Sequence, residues 1–312
     1  MKKLVTIIIP TYRRPYRLKS AILSAINQTY NDIEIIIVDD NDESSSFRKE
    51  TEKIVSCFFP NSKIKYIRHK KHGNGAIARN TGIKNAKGEL ITFLDDDDSY
   101  LAEKVEKQVN FLESNPQYNA VYCGRIEKGK IILPKIDKED ITEDILMGTF
   151  FPCTSTIMIK KNILEAMNGF NESFLRFQDL EFLLRYFDYG NKIGAIYEPL
   201  VVVGQNVGEN DLHGDKLEEQ KKLFLDLFSR KIIDIEKRKK NYYKKTYISN
   251  YVPVFFDHIT QGYLIKAIRV FLLCIKLSPF YFISLAFKHI FAFAKFIKYK
   301  YSLEIFRKMG RI

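Results

Sequence analysis

Residues 89–98 read ELITFLDDDD, an apolar run that ends in four consecutive aspartates. The apolar part has the length of a buried strand. Like charges about 4 Å apart repel by roughly 1 kcal/mol per pair even in water, so the cluster does not stabilise a fold by itself. It is typical of a site for a divalent metal with oxygen ligands, Mg²⁺ or Mn²⁺. The alternative is a solvated acidic loop that caps the helix after it.

Around this stretch, β-branched apolar runs alternate with segments whose apolar residues recur at helical spacing. Residues 1–126 contain predicted strands at 5–9, 33–38, 64–67, 89–94 and 120–123, and predicted helices at 18–26, 44–57, 76–86 and 101–114. This alternation predicts an α/β fold with a doubly wound, mostly parallel sheet flanked by helices.

Three of these strands end in polar residues, and in open α/β sheets ligands bind at the carboxyl ends of strands. The ends are Pro10 to Arg13, Asp39 to Asp42, and Asp95 to Asp98. Each one alone could be a turn, since Asp, Asn and Pro are turn formers. Three on the same edge of one sheet indicate a ligand site.

From residue 127 the alternation weakens into short strands (130–133, 156–159 and 200–203) and helices (140–147, 161–167 and 179–188). We therefore expect an α+β extension of the same domain, a polar linking helix within 208–240, and a helical C-terminal region. The predicted parts are 1–126, 127–215 and 216–312.

Charge is distributed unevenly along the 312 residues. Residues 231–312 hold 17 of the 50 Lys and Arg but only 4 of the 38 Asp and Glu. The four cysteines form no CxxC pair, which indicates reduced thiols in a cytosolic protein and neither a disulfide framework nor a zinc site. The first apolar run, residues 4–9, is too short for a signal peptide. No apolar stretch reaches the roughly 20 residues of a spanning helix.

Four ordered segments carry a family resemblance: residues 5–14 (VTIIIPTYRR), 36–41 (IIVDDN), 78–98 (ARNTGI through GELITFLDDDD) and 168–181 (NGFNE followed by QDLE). Together they resemble the family 2 glycosyltransferases, which are inverting, nucleotide-sugar-dependent enzymes of the GT-A fold. The resemblance runs from about residue 4 to 205. It implies a Rossmann-like first half that binds the nucleotide-sugar and a second half, to residue 215, that faces the acceptor.

The resemblance also implies roles for single residues at the strand ends. Pro10, Thr11 and Tyr12 would contact the base and ribose of the donor. Asp40 would accept the N3–H of uracil, which favours a UDP-sugar. Arg79 would close on the nucleotide or its diphosphate.

Asp95, Asp96 and Asp97 correspond to the DXD motif of the family. Asp95 and Asp96 are expected on the ribose and sugar side of the donor, and Asp97 on the Mn²⁺ or Mg²⁺ ion. Such an ion stabilises the departing diphosphate as a Lewis acid. The purely structural interpretations of these motifs are a capping Thr, turn aspartates, a surface salt bridge of Arg79 and an acidic loop.

Family members keep the catalytic base in an acidic pair at the start of a helix, and here that pair reads Gln178-Asp179. Asp179 is the candidate base, and its apolar neighbours favour a raised pKa. Because the first acid is missing, Glu181 stays open as the residue that faces the acceptor. The alternative for Asp179 is an acid that only stabilises a helix N-terminus.

Three other features have weaker interpretations. Residues 73–78 match the dinucleotide pattern GxGxxA, but they do not follow the first strand, so we expect only a loop that lets the backbone approach the nucleotide. Residues 69–72 next to it, with two histidines and two lysines, are expected to form a solvated basic loop. His213 could be an extra metal ligand or an exposed loop residue.

The C-terminal region mixes aromatic and basic residues, since 18 of residues 241–312 are Phe or Tyr. Ser284, Lys288, Lys295 and Lys298 would form a narrow polar stripe on an otherwise apolar helix. This pattern favours a helix in a membrane interface. The alternatives are packing on the catalytic domain or on a second copy in a homo-oligomer; apolar residues are too dense for a nucleic-acid surface.

These features predict a peripheral enzyme on the cytosolic face of the cell membrane. It would move a sugar to a hydroxyl of a glycan or lipid-linked acceptor in surface polysaccharide biosynthesis. One rival is a non-catalytic binding protein with a degenerate transferase domain, which only Gln178 favours. Another is a nucleotidyltransferase, which would need a Gly-rich basic loop after strand one, where only Arg13 and Arg14 suit it.

Overall fold

The computed structural model of the protein describes residues 2–135, 138–204 and 212–291. The chain divides into two compact units. The first consists of Met1–Ile145 with Phe150–Asn210, and the second of Leu146–Thr149 with Asp211–Ile312. The division of the first unit into a donor half and an acceptor half stays a prediction.

In the described part of the first unit, nine strands belong to one sheet. They are β1 Val5–Thr11, β2 Ile33–Asp39, β3 Ile64–Arg68, β4 Leu90–Phe93, β5 Ser99–Tyr100, β6 Ala120–Glu127, β7 Lys130–Ile132, β8 Ile157–Lys160 and β9 Ile193–Val203. Their order is β3-β2-β1-β4-β8-β6-β9-β5, with β7 paired to β6. Strands β1 to β4 pair in parallel, as do β6 and β9. The mostly parallel α/β sheet is confirmed, with β8 antiparallel between β4 and β6.

Helices form most of the connections between the strands and continue after the last strand. They are α1 Pro15–Ile26, α2 Ser46–Ser56, α3 Gly75–Asn85, α4 Lys104–Ser114, α5 Thr142–Met147, α6 Lys161–Ala166, α7 Gln178–Asp188, α8 Gly214–Leu227, α9 Ser229–Arg238, α10 Tyr242–Thr260 and α11 Leu264–Leu277, and residues 279–291 are also helical. The continuous apolar runs of β1 and β2 follow from this layering. Their Ile7, Ile8, Ile36 and Ile37 are fully buried because helices cover both faces of a parallel sheet.

Most predicted elements are present, and the differences have local causes. β9 begins at Ile193, seven residues earlier than predicted, because Glu198 and Pro199 interrupt the apolar pattern of the strand. Its pairing with β6 shifts register on both sides of Gly124. The two-residue strand β5 was not predicted, and the single linking helix expected within 208–240 is two helices, α8 and α9.

The register of the parallel strands places the candidate site. Thr11 at the end of β1 lies opposite Asp39 at the end of β2, and Ile8 lies opposite Phe93 of β4. The residues that follow β1, β2 and β4 therefore share one edge of the sheet. Gly82 allows α3 to pack closely on β1, since a Cβ there would lie 2.4 Å from a methyl group of Ile8.

The turn at Asn168-Gly169-Phe170 joins α3 to the segment before α7. Gly169 has a φ of +65°, and a Cβ there would lie 2.3 Å from Asn80 Oδ1. Asn80 Oδ1 accepts from the Phe170 amide at 2.8 Å, and its Nδ2 donates to the Phe170 carbonyl at 2.9 Å. Position 169 therefore requires glycine for both its conformation and its space.

The described part of the second unit is helical. His258 of α10 is fully buried and contacts Glu218 of α8 at 2.8 Å, and Arg269 of α11 donates to the same carboxylate. His213, weighed as a metal ligand, pairs with Asp257 at 2.6 Å within this unit. Of the helices among the described residues, none combines the length and apolar content that a membrane span requires.

Gly169→Ala should lower the free energy of unfolding by about 2 kcal/mol or more, since an L-residue in this conformation costs roughly 1–2 kcal/mol and the Asn80 contacts are displaced as well. Gly129→Ala is the matched control, because Gly129 has a φ of +71° and a Cβ added there would meet nothing within 4 Å. Urea denaturation of both variants measures the difference. Equal losses would show that the Asn80 contacts contribute nothing.

Candidate active site

The acidic loop after β4 does not point its carboxylates at one place. Asp96 is 2 % exposed; its Oδ2 accepts from the Thr11 hydroxyl at 2.8 Å, and its Oδ1 lies 3.3 Å from Arg14 Nε. The Tyr12 amide also faces Asp96 Oδ2, at 3.4 Å. The end of β1 is thereby joined to the acidic loop, as the shared sheet edge predicts.

Asp97 is paired with two arginines of the first helix and its cap. Its Oδ2 lies 2.5 Å from Arg14 Nη1 and 3.5 Å from Arg17 Nη1. Arg14 therefore contacts both Asp96 and Asp97, so one guanidinium offsets two neighbouring carboxylates. In the sequence, Arg14 stands out only as part of a motif. Its position just after β1, the strand beside β4, could have indicated that it pairs with the acidic loop.

Asp98 has a structural role. It is 4 % exposed, accepts from the Ser155 hydroxyl at 2.5 Å and accepts from the Gly204 amide at 2.9 Å. The Ser155 oxygen in turn accepts from the Asp95 amide at 3.1 Å. These contacts hold the acidic loop against β9 and the turn before β8.

Asp95 faces the opposite side of the loop and pairs with Arg79. Arg79 Nη2 donates to Asp95 Oδ1 at 2.5 Å, and Nη1 donates to Gln178 Oε1 at 2.9 Å. Arg79 is 9 % exposed, and its guanidinium lies 5.6 Å from the centre of the Phe170 ring. The alternative for Arg79, a salt bridge, is therefore present, but the arginine itself is buried and only Asp95 is partly exposed.

Asp179 and Glu181 lie in the first turn of α7 and have different surroundings. Glu181 is fully buried and forms a two-point pair with Arg185, at 2.6 and 3.0 Å. Asp179 is partly buried and accepts from the Leu180 amide at 3.0 Å. Burial raises the pKa of Asp179, while the charge of Arg79 lowers it. Of the two acids, Asp179 is the one that shares the electrostatic environment of Arg79.

Asp40, at the end of β2, is surrounded by the loop that follows β3. His69 Nδ1 lies 2.7 Å from Asp40 Oδ1, His72 Nδ1 lies 2.9 Å from Oδ2, and the Gly73 amide donates to Oδ1 at 2.9 Å. Lys70, Lys71 and His72 are exposed, as expected of a solvated basic loop, whereas His69 is only partly exposed. Both histidines nevertheless contact Asp40, because this buried carboxylate requires donors.

Tyr12 stacks on His72, with ring centroids 3.7 Å apart and planes 15° from parallel. The guanidinium of Arg13 lies 4.9 Å from the centre of the same Tyr12 ring. The aromatic residue after β1 is thus part of the same cluster as Asp40. Pro10 lies in β1 opposite Val38, next to this cluster in the chain.

Burial disfavours the charged form of the carboxylates in the acidic loop. It raises the pKa of Asp96 to about 7, against the attraction of Arg14, and it raises the pKa of Asp98 to about 8. The pKa of Asp97 is also raised by burial, with Arg14 acting in the opposite direction. An added cation at this loop would therefore stabilise the ionised forms.

The donor set suits a hard divalent cation. In the described ranges, no three His, Cys, Asp or Glu side chains gather as a ready set of metal ligands. Mg²⁺, however, is commonly held by one or two carboxylates together with substrate phosphates, so three protein ligands are not required. Asp97 already binds a cation, the Arg14 guanidinium, and Asp95 keeps a third of its side chain exposed. These residues fit a metal ion that arrives with a phosphorylated ligand.

The predicted site residues of the first unit therefore fall into two connected groups at one sheet edge. One contains Pro10, Thr11, Tyr12, Asp40, Asp96 and Asp97, and the other contains Arg79, Asp95 and Asp179. Six contributors were missed as contact residues: Arg14, Arg17, His69, His72, Ser155 and Gly204. Each comes from a loop or helix whose proximity depends on the sheet order.

Comparison with known proteins agrees with this architecture. The model of the family described as glycosyl transferase family 2 matches residues 6–184. An uncharacterized glycosyltransferase of Haemophilus influenzae is 32 % identical over 188 residues, which are 58 % of this chain and 61 % of that relative. The amylovoran biosynthesis glycosyltransferase AmsB of Erwinia amylovora is 28 % identical over 206 residues, or 62 % of this chain and 67 % of AmsB. The chain thus matches about three fifths of the first relative's length.

Solved structures share the fold at low sequence identity. S. aureus TarS residues 1–349 in complex with UDP-GlcNAc has a TM-score of 0.58 and 16 % identity, covering 80 % of this chain and 81 % of that one. The mannosyltransferase PcManGT of Pyrobaculum calidifontis, in complex with GDP-Man and Mn²⁺, has a TM-score of 0.59 and 15 % identity, covering 93 % and 88 %. The expected GT-A architecture is confirmed, and because the family model matches more than half of the residues, the chain belongs to glycosyl transferase family 2.

Proposed function

We propose that this protein is an inverting glycosyltransferase. It would transfer a sugar from a nucleotide-sugar, with a UDP-sugar favoured, to a hydroxyl of a glycan or lipid-linked acceptor. The observation that carries the proposal is that the acidic loop, which pairs with Arg79 through Asp95, also contacts the Tyr12 amide at the end of β1 through Asp96, in a member of this family. Tyr12 in turn stacks on His72, which contacts Asp40.

The nucleotide base of the donor would bind beside Tyr12, His72 and Asp40, which together form the Tyr12–Asp40 cluster. Tyr12 offers an aromatic face and Asp40 an acceptor for a ring N–H, a pair of features that uracil can use through its N3–H and guanine through its N1–H. Thr11 and Pro10 would line the ribose. The solved structures that share the fold include complexes with UDP-GlcNAc and with GDP-Man, so the choice of uracil rests on the role that the family resemblance implies for Asp40.

The diphosphate end would lie between Arg79 and the acidic loop. Asp97 would hold a Mn²⁺ or Mg²⁺ ion, with Asp95 and Asp96 toward the sugar and ribose. When bound, the ion supplies Lewis-acid stabilisation of the departing diphosphate. Arg79 would add a fixed positive charge on the same group, and its position is set by Asp95 and Gln178.

Asp179 would act as the base. It would remove the proton from the acceptor hydroxyl as that oxygen attacks the anomeric carbon, and a single displacement inverts the configuration there. The raised pKa of Asp179 brings its basicity nearer to neutral pH, while the Arg79 charge keeps its ionised form accessible. The buried pairing of Glu181 with Arg185 supports the choice of Asp179 over Glu181 for this role.

The acceptor would be met at a membrane on the cytosolic side. The named role of AmsB in amylovoran biosynthesis supports a function in surface polysaccharide synthesis. In the second unit, large apolar side chains are exposed on α11 and on residues 279–291, among them Ile265 at 86 % and Phe280 at 87 %. Residues 258–303 contain seven Lys or Arg and no Asp or Glu, which suits an anionic bilayer surface. Lys295 and Lys298 lie outside the described residues.

Asp97→Ala should lower donor turnover by about 100-fold or more, because it removes the carboxylate assigned to the metal. It should also lower the free energy of unfolding by about 1–3 kcal/mol, because Arg14 and Arg17 lose a shared partner, so turnover is compared at a temperature where the variant is folded. A panel of UDP- and GDP-sugars with Mn²⁺ is screened by thermal shift, and hydrolysis of the best donor is measured. Electron paramagnetic resonance of Mn²⁺ gives a readout independent of turnover. Asp32→Ala, at an exposed acid, is the control. Unchanged turnover and Mn²⁺ binding in Asp97→Ala would refute the metal assignment.

Asp179→Asn and Glu181→Gln should affect different properties. Asp179→Asn should reduce turnover by about 100-fold or more, as expected for loss of a general base, and change the free energy of unfolding by less than about 1 kcal/mol. Glu181→Gln should destabilise the protein by about 2–3 kcal/mol, because Arg185 loses its buried partner. Donor hydrolysis and urea denaturation separate the two. The reverse pattern would make Glu181 the base.

The double variant Ile265→Glu with Phe280→Glu should weaken binding to vesicles that contain phosphatidylglycerol by about tenfold or more, since it places acids on the exposed apolar face. Phe59→Glu, at an exposed apolar residue of the first unit, is the matched control. Vesicle sedimentation measures binding. Equal retention of the wild type and both variants on vesicles would show that this face does not contact lipid.

A further inference from the structure

Gln178 occupies a position where family members commonly carry an acid, and its amide is held at both ends. It is the first residue of α7 and is 7 % exposed. Nε2 donates to the Phe174 carbonyl at 2.8 Å and faces the Leu175 carbonyl at 3.4 Å. Since both partners on that side are acceptors, the nitrogen must face them, and Oε1 must face Arg79.

A carboxylate would not satisfy the same surroundings. With Glu at position 178, one of its oxygens would lie against the Phe174 carbonyl, where a donor is required. Gly75 leaves the space for the present arrangement, because a Cβ there would lie 2.9 Å from Arg79 Nη1 and 3.0 Å from Gln178 Oε1. The backbone around this position is therefore built for an amide, which argues against a decayed acidic pair.

The positive charge of Arg79 is offset by one hydrogen-bonded carboxylate. Its guanidinium donates to one carboxylate, Asp95, and to the neutral amide of Gln178. Its field also reaches Asp179, the residue next to Gln178 in the chain, and favours the ionised form of that acid. The charge of Arg176 acts on the pKa of Asp179 in the same direction, and the charge of Asp95 acts in the opposite one. A carboxylate at position 178 would compete for the same charge and would add a like charge beside Asp179.

We propose that Gln178 is a positioning residue that fixes the Arg79 guanidinium without adding a second negative charge beside it, so that the charge left after pairing with Asp95 acts on the donor side and on Asp179. The inference rests on the proposed function for the roles of Arg79 and Asp179, whereas the contacts themselves do not. An amide at this position is then a functional alternative to the acid, and it sets the pH range in which Asp179 is ionised.

Gln178→Glu tests the charge, and Gln178→Met tests the hydrogen bonds at similar size. In Gln178→Glu the added negative charge should raise the pKa of Asp179 by about one unit, because a like charge disfavours ionisation. The pKa is read by carbon-13 NMR of labelled aspartate carboxyls, with Asp179→Asn used for assignment. Gln178→Met should leave this pKa within about 0.3 units of the wild type, since no charge is added.

Kinetics give the second readout. Because the base must be deprotonated, a raised pKa of Asp179 moves the acidic limb of the kcat profile to higher pH. Gln178→Glu should therefore show a limb displaced by about one pH unit, and Gln178→Met should lose about tenfold in kcat with its limb in place. A merely structural role of Gln178 would lower stability without moving the limb.

The outcomes distinguish this inference from the proposed function. An unchanged Asp179 pKa in Gln178→Glu, or a wild-type kcat in Gln178→Met, would overturn the inference even if the enzyme transfers sugar. A raised Asp179 pKa in a protein that turns over no donor of the UDP- and GDP-sugar panel would refute the proposed function, while the electrostatic coupling would stand.

Discussion

The candidate site depends on one constraint, the crowding of four consecutive carboxylates at the carboxyl end of β4. The loop resolves the repulsion by directing each carboxylate to a different partner. Asp95 pairs with Arg79, and Asp96 contacts Thr11 and Arg14. Asp97 pairs with Arg14 and Arg17, and Asp98 accepts hydrogen bonds from the Ser155 hydroxyl and the Gly204 amide. Elements far apart in the chain are thereby held at one edge of the sheet. The same carboxylates that would bind a ligand organise the loops around it.

Much of this arrangement could be predicted from the sequence, because it follows from strand order in a parallel sheet. The apolar runs at β1, β2 and β4 identified buried strands, and their polar ends had to share an edge. The partners of Asp98 could not be predicted in this way. Ser155 and Gly204 adjoin β8 and β9. Strand β8 lies antiparallel between β4 and β6, and this strand order cannot be predicted from hydrophobic periodicity.

Side-chain direction was also beyond the sequence. His69 and His72 lie in a stretch with two lysines, which suggests solvation, yet both face Asp40 because β3 lies beside β2 and delivers the loop onto that carboxylate. Gln178 looked like a missing acid, and only the carbonyls of Phe174 and Leu175 show why an amide suits the position. In both cases the deciding groups are backbone or side-chain partners supplied by tertiary structure.

The stack of His72 on Tyr12 has a consequence for the energetics of recognition. An aromatic ligand that takes the same face of the Tyr12 ring exchanges one stacked pair for another, so its net gain is the difference between two similar terms. Asp40 likewise exchanges an imidazole for a new donor. Affinity for a nucleotide would then derive chiefly from its diphosphate. The contacts of the base with Tyr12 and Asp40 would contribute more to specificity among bases than to affinity.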